Sequence, residues 1–265
     1  MDADDVRRDT PVQVELMIDL NDIIVYFIAL IYVVIVLTTG DVFRRKLNLG
    51  PDFTRKVIHL FAGAAIWTTP YYTHAWVATL VALTFVVFLW LASDERFERF
   101  FSAMARPEDL EHHSVRGPFW YAVSITILTG FFTFTGNESL YFLGAAGIHI
   151  MMLGDGMSAP IGMRFGANHT RVIGGSNRSL HGCLALFAFG FLGAMIAFWF
   201  FGILNYGVFL SGGQILLVEM TVMGLVGAVS ATLIELVSPK GKDNITVPLI
   251  TTVIMYLAGL LLGVI

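Results

Sequence analysis

Long apolar runs separated by polar connections are the feature that most constrains how this chain can fold. We identify eight such runs, at 22–39, 57–70, 75–92, 119–135, 139–154, 183–203, 215–237 and 246–264. A helix needs about 20 apolar residues to span the hydrocarbon core of a bilayer, and most of the runs approach that length. Of all residues, 56% are hydrophobic and only 14% are charged, against about 25% charged in soluble domains. The sequence therefore predicts an all-α, polytopic membrane protein with about eight transmembrane helices.

The rest of the composition limits the domain organisation and the partners. We interpret 1–21 as a polar N-terminal tail and 22–265 as one transmembrane helical domain. The tail lacks the basic start that is typical of a signal peptide. The single Cys183 excludes intrachain disulfides and a cysteine-rich metal site. The sequence has no concentrated basic stripe, so no nucleic acid partner is expected.

The lysines and arginines indicate how the segments are oriented. Apart from two in the N-terminal tail, all of them fall in alternate connections, namely 40–56, 93–118, 164–182 and 238–245. Basic connections lie on the cytoplasmic side by the positive-inside rule, so both termini are predicted to lie outside. The polar motifs fall on the same side as the basic residues. This predicts a multi-pass protein of the cell membrane whose active site faces the cytoplasm.

Asp155 is the most unusual residue of the apolar runs. It directly follows the fifth run and lies in the stretch Gly154 to Gly182, which is rich in glycine and arginine. A charge costs about 2.5–3.5 kcal/mol at the centre of a membrane helix. A functional role is therefore the first interpretation, and solvation at the interface is the alternative. Gly162 and Gly166 follow at helical spacing, and they either present a smooth surface to a phosphate or allow another helix to pack.

Arg55, Lys56 and His59 lie together at the start of the second run, in TRKVIH. Basic residues in this place either bind phosphates or act only as anchors on the cytoplasmic side. His59 lies one turn further into the segment, where a titratable ring needs a partner.

Two more polar clusters flank the sixth and seventh runs. In RSLHG, Arg178 and His181 surround Ser179, which is also of the type that caps a helix. In ELVSPKGKDNITVP, the polar residues are Glu235, Lys240, Asp243 and Asn244. The last two are suited to coordinate Mg²⁺ or to orient a ribose, although they also favour a turn.

Together these clusters place carboxylates and cations at the predicted cytoplasmic ends of four segments. Phosphoryl and nucleotidyl transfer generally require Mg²⁺ held by carboxylates and cations that bind the phosphates. The residues therefore favour an Mg²⁺-dependent transferase that acts at the membrane surface.

Four blocks of the chain resemble the polyprenol kinase family, which includes dolichol, phytol and farnesol kinases and a CTP-dependent diacylglycerol kinase. The blocks are RKVIHLFAG (55–63), RGPFWYAV (116–123), GDGMSAPIGMRFG with RSLHG (154–166 and 178–182) and ELVSPKGKDNITVPL (235–249). The third block is also similar to the phosphatidate cytidylyltransferases. The resemblance implies that the γ-phosphoryl group of CTP, or of another nucleoside triphosphate, is transferred to the hydroxyl of a polyprenol or other lipid alcohol, with Mg²⁺ as cofactor.

The residues and the resemblance together suggest roles. As hypotheses, Asp155 and Asp243 bind Mg²⁺, Asp155 and His59 are catalytic, and His59 or a carboxylate accepts the alcohol proton. The predicted nucleotide-binding residues are Arg55, Lys56, Gly162, Gly166, Arg178, Ser179, Lys240 and Asn244. Glu235 and His181 are additional candidates. His181 stands where the family has a glutamate, and an imidazole does not replace a carboxylate on Mg²⁺; either this position binds no metal or the nucleotide is held differently.

Two other functions are compatible with the same residues. A cytidylyltransferase would form a CDP-lipid and pyrophosphate, whereas a kinase forms a lipid phosphate and a nucleoside diphosphate. A transporter or lipid-binding protein on the same scaffold would need no nucleotide, and inverted repeats would favour it. The expected partners of the enzyme are a nucleoside triphosphate, a lipid alcohol and the bilayer, and an oligomer is compatible with the small-residue pattern of the last run.

Overall fold

The structure, a computed structural model, describes residues 18–47, 50–91, 116–136, 138–166, 170–173, 176–204, 215–239 and 241–265. Within these ranges the α-helices are α1 (Leu20–Leu47), α2 (Pro51–Ala62), α3 (Val77–Leu91), α4 (Arg116–Phe134), α5 (Tyr141–His149), α6 (Gly156–Gly166), α7 (Leu180–Ala197), α8 (Leu217–Val237) and α9 (Asp243–Leu262). Short 3₁₀ segments follow α2 (Gly63–Tyr71) and precede α5 (Glu138–Leu140). Two π-helical segments follow α5 (Ile150–Asp155) and α7 (Phe198–Leu204).

The prediction of an all-α, polytopic membrane protein is confirmed. Each of the eight predicted segments coincides with a helix or with a run of consecutive helical segments. Six continuous helical stretches are long and apolar enough to cross a membrane, and α3 is a shorter apolar helix. The number of crossings and the outer position of both termini stay predictions. Most of the predicted polar tail lies outside the described residues.

Side-chain exposure follows the pattern of a bundle surrounded by lipid. On α1, Phe27 and Ile31 are more than half exposed, whereas Ala29 and Val33 are buried. Apolar surface of this extent on the outside of a bundle marks contact with a membrane. In contrast, every residue of α5 is buried, so this helix forms the centre of the bundle.

The second predicted segment combines two kinds of helix. α2 begins with Pro51 after an extended Gly50, and proline suits this position because its missing N–H would have no partner there. From Gly63 to Tyr71 the chain winds as a tighter 3₁₀-helix. With rises of about 1.5 and 2.0 Å per residue, the two parts have a combined rise of roughly 36 Å. The predicted run, 57–70, accounts for about 25 Å of this rise, somewhat less than the roughly 30 Å of the hydrocarbon core.

The fifth segment extends further than the sequence predicted. It was expected to end at residue 154, but the helical path continues through Asp155 and α6 to Gly166. The carboxylate does not end the helix, because it finds partners inside the bundle. Gly154 allows close contact with α7, since a Cβ there would lie 3.1 Å from the Leu186 carbonyl oxygen and 3.3 Å from the Cα of Gly190.

An antiparallel hairpin connects α6 to α7. Strand β1 (Thr170–Ile173) pairs with strand β2 (Ser176–Ser179), which places Arg171 opposite Arg178. Ser179 ends β2 and caps α7, and its Oγ accepts a hydrogen bond of 3.1 Å from the backbone N–H of Gly182. The hairpin thereby leads the chain from the end of α6 to the first turn of α7.

At the predicted outer end, α1 is bound to the loop that precedes α3. Asp22 is fully buried, and its carboxylate accepts hydrogen bonds from the backbone N–H and the Nδ1 of His74, at 3.0 and 2.6 Å. The backbone N–H of Asp19 donates to the same carboxylate at 3.2 Å. These three residues lie close enough together to hold a metal ion, but protein donors already satisfy Asp22. The cluster therefore joins two elements of the fold.

Replacing Asp22 by alanine is expected to destabilise the protein, because the donors of Asp19 and His74 lose their buried acceptor. A buried group without a partner costs about 1–3 kcal/mol, so the melting temperature in detergent should fall by several degrees. Asp41→Ala is the matched control on the same helix, since Asp41 forms an exposed pair with Arg45 that contributes about 0–1 kcal/mol. Equal losses in the two variants would contradict the structural role of Asp22.

Candidate active site

The buried carboxylate of Asp155 is paired with Lys56 of α2. The Nζ of Lys56 lies 3.0 Å from each carboxylate oxygen and 2.6 Å from the backbone oxygen of Asp155. The two side chains are only 8% and 11% exposed. A buried charge is tolerated only when it is paired and hydrogen-bonded, so the lysine accounts for the presence of Asp155 inside the helix.

His59 lies one turn along α2 and contacts the same carboxylate. Its Nε2 is 3.2 Å from Oδ2 of Asp155 and 3.1 Å from the backbone oxygen of Met151. Because both neighbours are acceptors, Nε2 carries the proton of the neutral ring and Nδ1 keeps a lone pair. Asp155 therefore fixes the tautomer and the orientation of His59, as a carboxylate does for a histidine that acts as a general base.

Residues of α4 complete the surroundings of His59 and fix Asn244. Tyr121 donates its hydroxyl to the backbone oxygen of His59 at 2.7 Å, and the two ring centroids are 4.3 Å apart. The Nδ2 of Asn244 donates to the backbone carbonyl of Gly117 at 3.0 Å, and the Ser124 hydroxyl donates to the backbone carbonyl of Asn244 at 2.6 Å. If the side-chain amide of Asn244 were flipped, its Oδ1 would face the carbonyl oxygen of Gly117, and two acceptors cannot form a hydrogen bond. The orientation of the amide is therefore settled. Oδ1 of Asn244 is buried and lacks a hydrogen-bond partner among the described residues.

A second buried ion pair joins the hairpin to α8. Nη1 of Arg178 binds the Glu235 carboxylate, and Nη2 donates to the Glu235 backbone oxygen at 2.8 Å. Glu235 also lies within electrostatic range of Asp155, Lys56 and Asp243. The two ion pairs therefore belong to one charged region.

The structure brings most of the predicted site residues into this region, although they come from five separate elements. They are Arg55, Lys56, His59, Asp155, Arg178, Glu235, Asp243 and Asn244. The predicted convergence of the polar clusters thus has a counterpart in the geometry. The individual roles of these residues stay predictions.

The remaining predicted residues have other surroundings. Gly162 and Gly166 face the start of α7, where a Cβ on Gly162 would lie 2.9 Å from Oγ of Ser179. Ser179 itself caps α7, and His181 is exposed. Packing and capping account for the glycines and the serine, and nucleotide binding by them stays a prediction. Lys240 lies outside the described residues.

Asp243 and Asn244 are of the residue types that bind Mg²⁺, the ion that the resemblance implies. Mg²⁺ takes hard oxygen ligands, and these neighbours at the start of α9 provide a carboxylate and an amide oxygen. The buried Oδ1 of Asn244, which has no hydrogen-bond partner in the part of the chain that the structure describes, is an acceptor that such an ion would satisfy. The Asp155 carboxylate fits less well, because both of its oxygens bind Lys56. Metal binding by Asp155 stays a prediction that requires Lys56 to move.

An apolar cavity adjoins the charged region. It has a volume of about 100 Å³ and lies between α1, α2 with its 3₁₀ extension, α3 and α4. Arg55, His59 and Asn244 contribute polar atoms to its lining, whereas most of the wall consists of alanine, valine, leucine, isoleucine and phenylalanine side chains. Charged and apolar surfaces therefore meet at His59.

The sequence analysis missed the cavity and the contribution of α4. The RGPFWYAV block was recognised as part of the resemblance, but its residues received no role. A signal was present, because Gly117, Tyr121 and Ser124 recur at spacings of four and three and such residues share one face of a helix.

Relatives with known names were found along most of the chain. A phytol kinase of Synechocystis sp. is 29% identical over 231 residues, which cover 86% of this chain and 89% of the relative. Proteins named probable phytol kinase, chloroplastic, from Oryza sativa subsp. japonica and Glycine max are 26% and 27% identical over 78% and 79% of this chain. The matches cover only 64% and 62% of these plant proteins, so the chain spans just under two thirds of their length.

The resemblance to the polyprenol kinase family is confirmed. No protein-family model matches the chain, and no solved structure matches it. The similarity to the polyprenol kinases extends well beyond the four blocks, since it covers most of the helical bundle.

Replacing Lys56 by methionine is expected to destabilise the protein, because Asp155 would remain buried without its cation. Breaking a buried pair from one side costs about 3–5 kcal/mol. Adding Asp155→Leu in the same chain should restore much of this stability, since the unpaired charge is then removed. Thermal unfolding of the two single variants and the double variant measures the coupling.

Arg45→Met is the control for this cycle, because the pair of Arg45 with Asp41 is exposed. Its effect should stay below about 1 kcal/mol. Purely additive effects of Lys56→Met and Asp155→Leu would contradict a direct interaction between the two buried charges.

Proposed function

We propose that this protein is a membrane-embedded kinase that transfers a phosphoryl group from a nucleoside triphosphate to the hydroxyl of a lipid alcohol. The similarity to proteins named phytol kinase supports an alcohol acceptor. A single feature of the structure supports it most: an oriented histidine at the junction of an apolar cavity and a charged region. A lipid chain in the cavity would present its hydroxyl to His59, while the charged region would receive phosphates.

His59 is the proposed general base. Its Nδ1 lone pair accepts the proton of the alcohol as the alcohol oxygen attacks the γ-phosphorus. The new oxygen–phosphorus bond forms, the bond between the γ-phosphorus and the bridging oxygen breaks, and the nucleoside diphosphate leaves. Asp155 stabilises the imidazolium that forms, because its carboxylate already contacts Nε2 at 3.2 Å.

The cations of the charged region are the proposed phosphate ligands. Arg55 lines the cavity beside His59, and Arg178 is oriented by Glu235. Arginine suits phosphate binding because its guanidinium forms two parallel hydrogen bonds with the oxygens. Lys56 holds Asp155 in place and adds positive charge to the same region. CTP is the proposed donor because of the motif resemblance, and the cytoplasmic side is the proposed location of the site.

Asp243 and Asn244 are the proposed ligands of Mg²⁺. The ion, when bound, neutralises charge on the triphosphate. The Gly117 carbonyl holds the side-chain amide of Asn244 and Ser124 holds its backbone carbonyl, while no donor among the described residues reaches Oδ1. Asn244 is therefore a positioning and binding residue in this proposal.

Purified protein in lipid nanodiscs is expected to phosphorylate phytol or geranylgeraniol when γ-labelled triphosphate and Mg²⁺ are supplied. The label should appear in the lipid phosphate, with one nucleoside diphosphate per product. Each of CTP, ATP, GTP and UTP is tested as donor, and dolichol and diacylglycerol are tested as further acceptors. When a lipid phosphate is supplied with CTP in place of the alcohol, formation of CDP-lipid and pyrophosphate would instead identify a cytidylyltransferase. The absence of both products with every donor and acceptor would contradict the proposal.

His59→Gln and Asp155→Asn are expected to lower kcat about 10²- to 10⁴-fold, which is the usual contribution of a general base. The KM for the triphosphate should change little, since neither residue is proposed to bind it directly. Asp41→Asn, an exposed acid on α1, is the matched control and should retain full activity. Unaltered kcat in the His59 variant would refute its role as the base.

A further inference from the structure

The hairpin between α6 and α7 carries two arginines on one of its faces. Arg171 of β1 and Arg178 of β2 are directly opposite each other in the antiparallel register. Opposite residues of such a pair point to the same side of the sheet, and their Cβ atoms lie about 4.5–5.5 Å apart. The Arg178 guanidinium binds Glu235 of α8, so this side of the hairpin is the one that faces the charged region.

The exposure of the neighbouring residues agrees with this orientation. Val172 points to the opposite side from Arg171, and it is 74% exposed. Ile173 shares the side of Arg171 and is partly buried. On β2, Asn177 is exposed, whereas Arg178 is partly buried. The inward side therefore carries both arginines, and solvent still reaches Arg171, which is exposed.

The two arginines differ in their partners. Arg178 binds the carboxylate and the backbone oxygen of Glu235. Arg171 forms no ion pair and no side-chain hydrogen bond within the ranges that the structure describes. Like charges directly opposite each other on two strands destabilise their pairing. An anion beside both guanidinium groups would remove this repulsion.

The charge of the site gives a second reason for a further cation. Apart from His59, the ionisable side chains of the charged region are three cations and three carboxylates, and their formal charges cancel: Arg55, Lys56, Arg178, Asp155, Glu235 and Asp243. A triphosphate adds several negative charges, and a bound Mg²⁺ neutralises only part of them. Positive charge from outside this set is therefore needed beside the phosphates, and Arg171 lies next to Arg178.

We propose that Arg171 is a further ligand of the triphosphate and forms, together with Arg178, a two-arginine phosphate site. The inference rests on the proposed function, since the nucleotide must be the anion that enters the charged region. Each guanidinium can donate two parallel hydrogen bonds to phosphate oxygens. Glu235 orients Arg178, while Arg171 approaches the phosphates from the solvent side. The hairpin is then a binding element as well as a connection between two helices.

Arg171→Gln is expected to raise the KM for the triphosphate about tenfold or more, because a charged hydrogen bond to phosphate is lost. The kcat should change less than about threefold, since the general base is unaltered. Without nucleotide, the melting temperature of the variant in nanodiscs should equal or exceed that of the wild type, because the repulsion from Arg178 is removed. Stabilisation by a non-hydrolysable triphosphate with Mg²⁺ should be smaller than in the wild type. Arg171→Lys, which keeps the charge, should recover part of the affinity.

Arg164→Gln is the matched control. Arg164 is an exposed arginine of α6, and its guanidinium lies 5.6 Å from the centre of the Phe165 ring. It is two residues from both Gly162 and Gly166, so it lies on the side of α6 away from their contact with α7. This variant should leave the KM and the stabilisation by nucleotide unchanged.

Nanodiscs of zwitterionic and of anionic lipids distinguish nucleotide phosphates from lipid headgroups as the ligand. An unchanged KM and unchanged nucleotide stabilisation in Arg171→Gln would overturn the proposal, as would an effect that appears only with anionic lipid. A lower melting temperature without nucleotide, combined with unaltered nucleotide affinity, would also overturn it, because Arg171 would then only stabilise the hairpin. Arg171-dependent binding of triphosphate by a protein that phosphorylates no alcohol would contradict the kinase and leave the two-arginine phosphate site intact.

Discussion

The contact between Lys56 and Asp155 is the interaction on which the arrangement of this bundle depends. Either charge alone would be expensive inside the protein, and together they connect two segments that are 99 residues apart in sequence. The pair fixes the first turns of α2 against the end of the π-helical segment. The position of the His59 ring depends on this contact, because the ring reaches the same carboxylate only when the two segments lie at this distance. The orientation of the imidazole is thus a consequence of a structural ion pair.

The fold could be predicted from the apolar runs, whereas the pairing of the polar residues could not be predicted from the sequence. Hydrophobic length and the distribution of basic residues are properties of the local sequence, so the helices fall where the sequence predicts them. Asp155 was recognisable because a carboxylate is costly in an apolar run. Its partner was not, since nothing local distinguishes Lys56 from a basic anchor at the membrane surface. The end of the fifth segment was misplaced for the same reason: an acid terminates a membrane helix only if no buried cation receives it.

The cavity was beyond sequence reasoning because its walls come from four separate elements. Each wall residue, such as Ala82 or Ile125, is indistinguishable in the sequence from a core residue. Only the packing of α1, α2, α3 and α4 against one another leaves this space. In the proposed reaction, the separation of the apolar cavity from the charged region has a chemical benefit. The acceptor hydroxyl would arrive from an apolar side, where water is scarce, so that transfer to water is disfavoured.

The π-helical segment that ends at Asp155 determines the direction, about the helix axis, in which Asp155 and the residues of α6 point. Consecutive residues of an α-helix are rotated by about 100° about its axis, and a π turn inserts an extra residue into the regular path. Without that residue, the carboxylate would turn away from α2 by about a quarter of a circle. The glycine-rich face of α6 would turn with it and lose its contact with α7. A chain of this kind therefore tolerates changes of side chain in this segment far better than a change in its length.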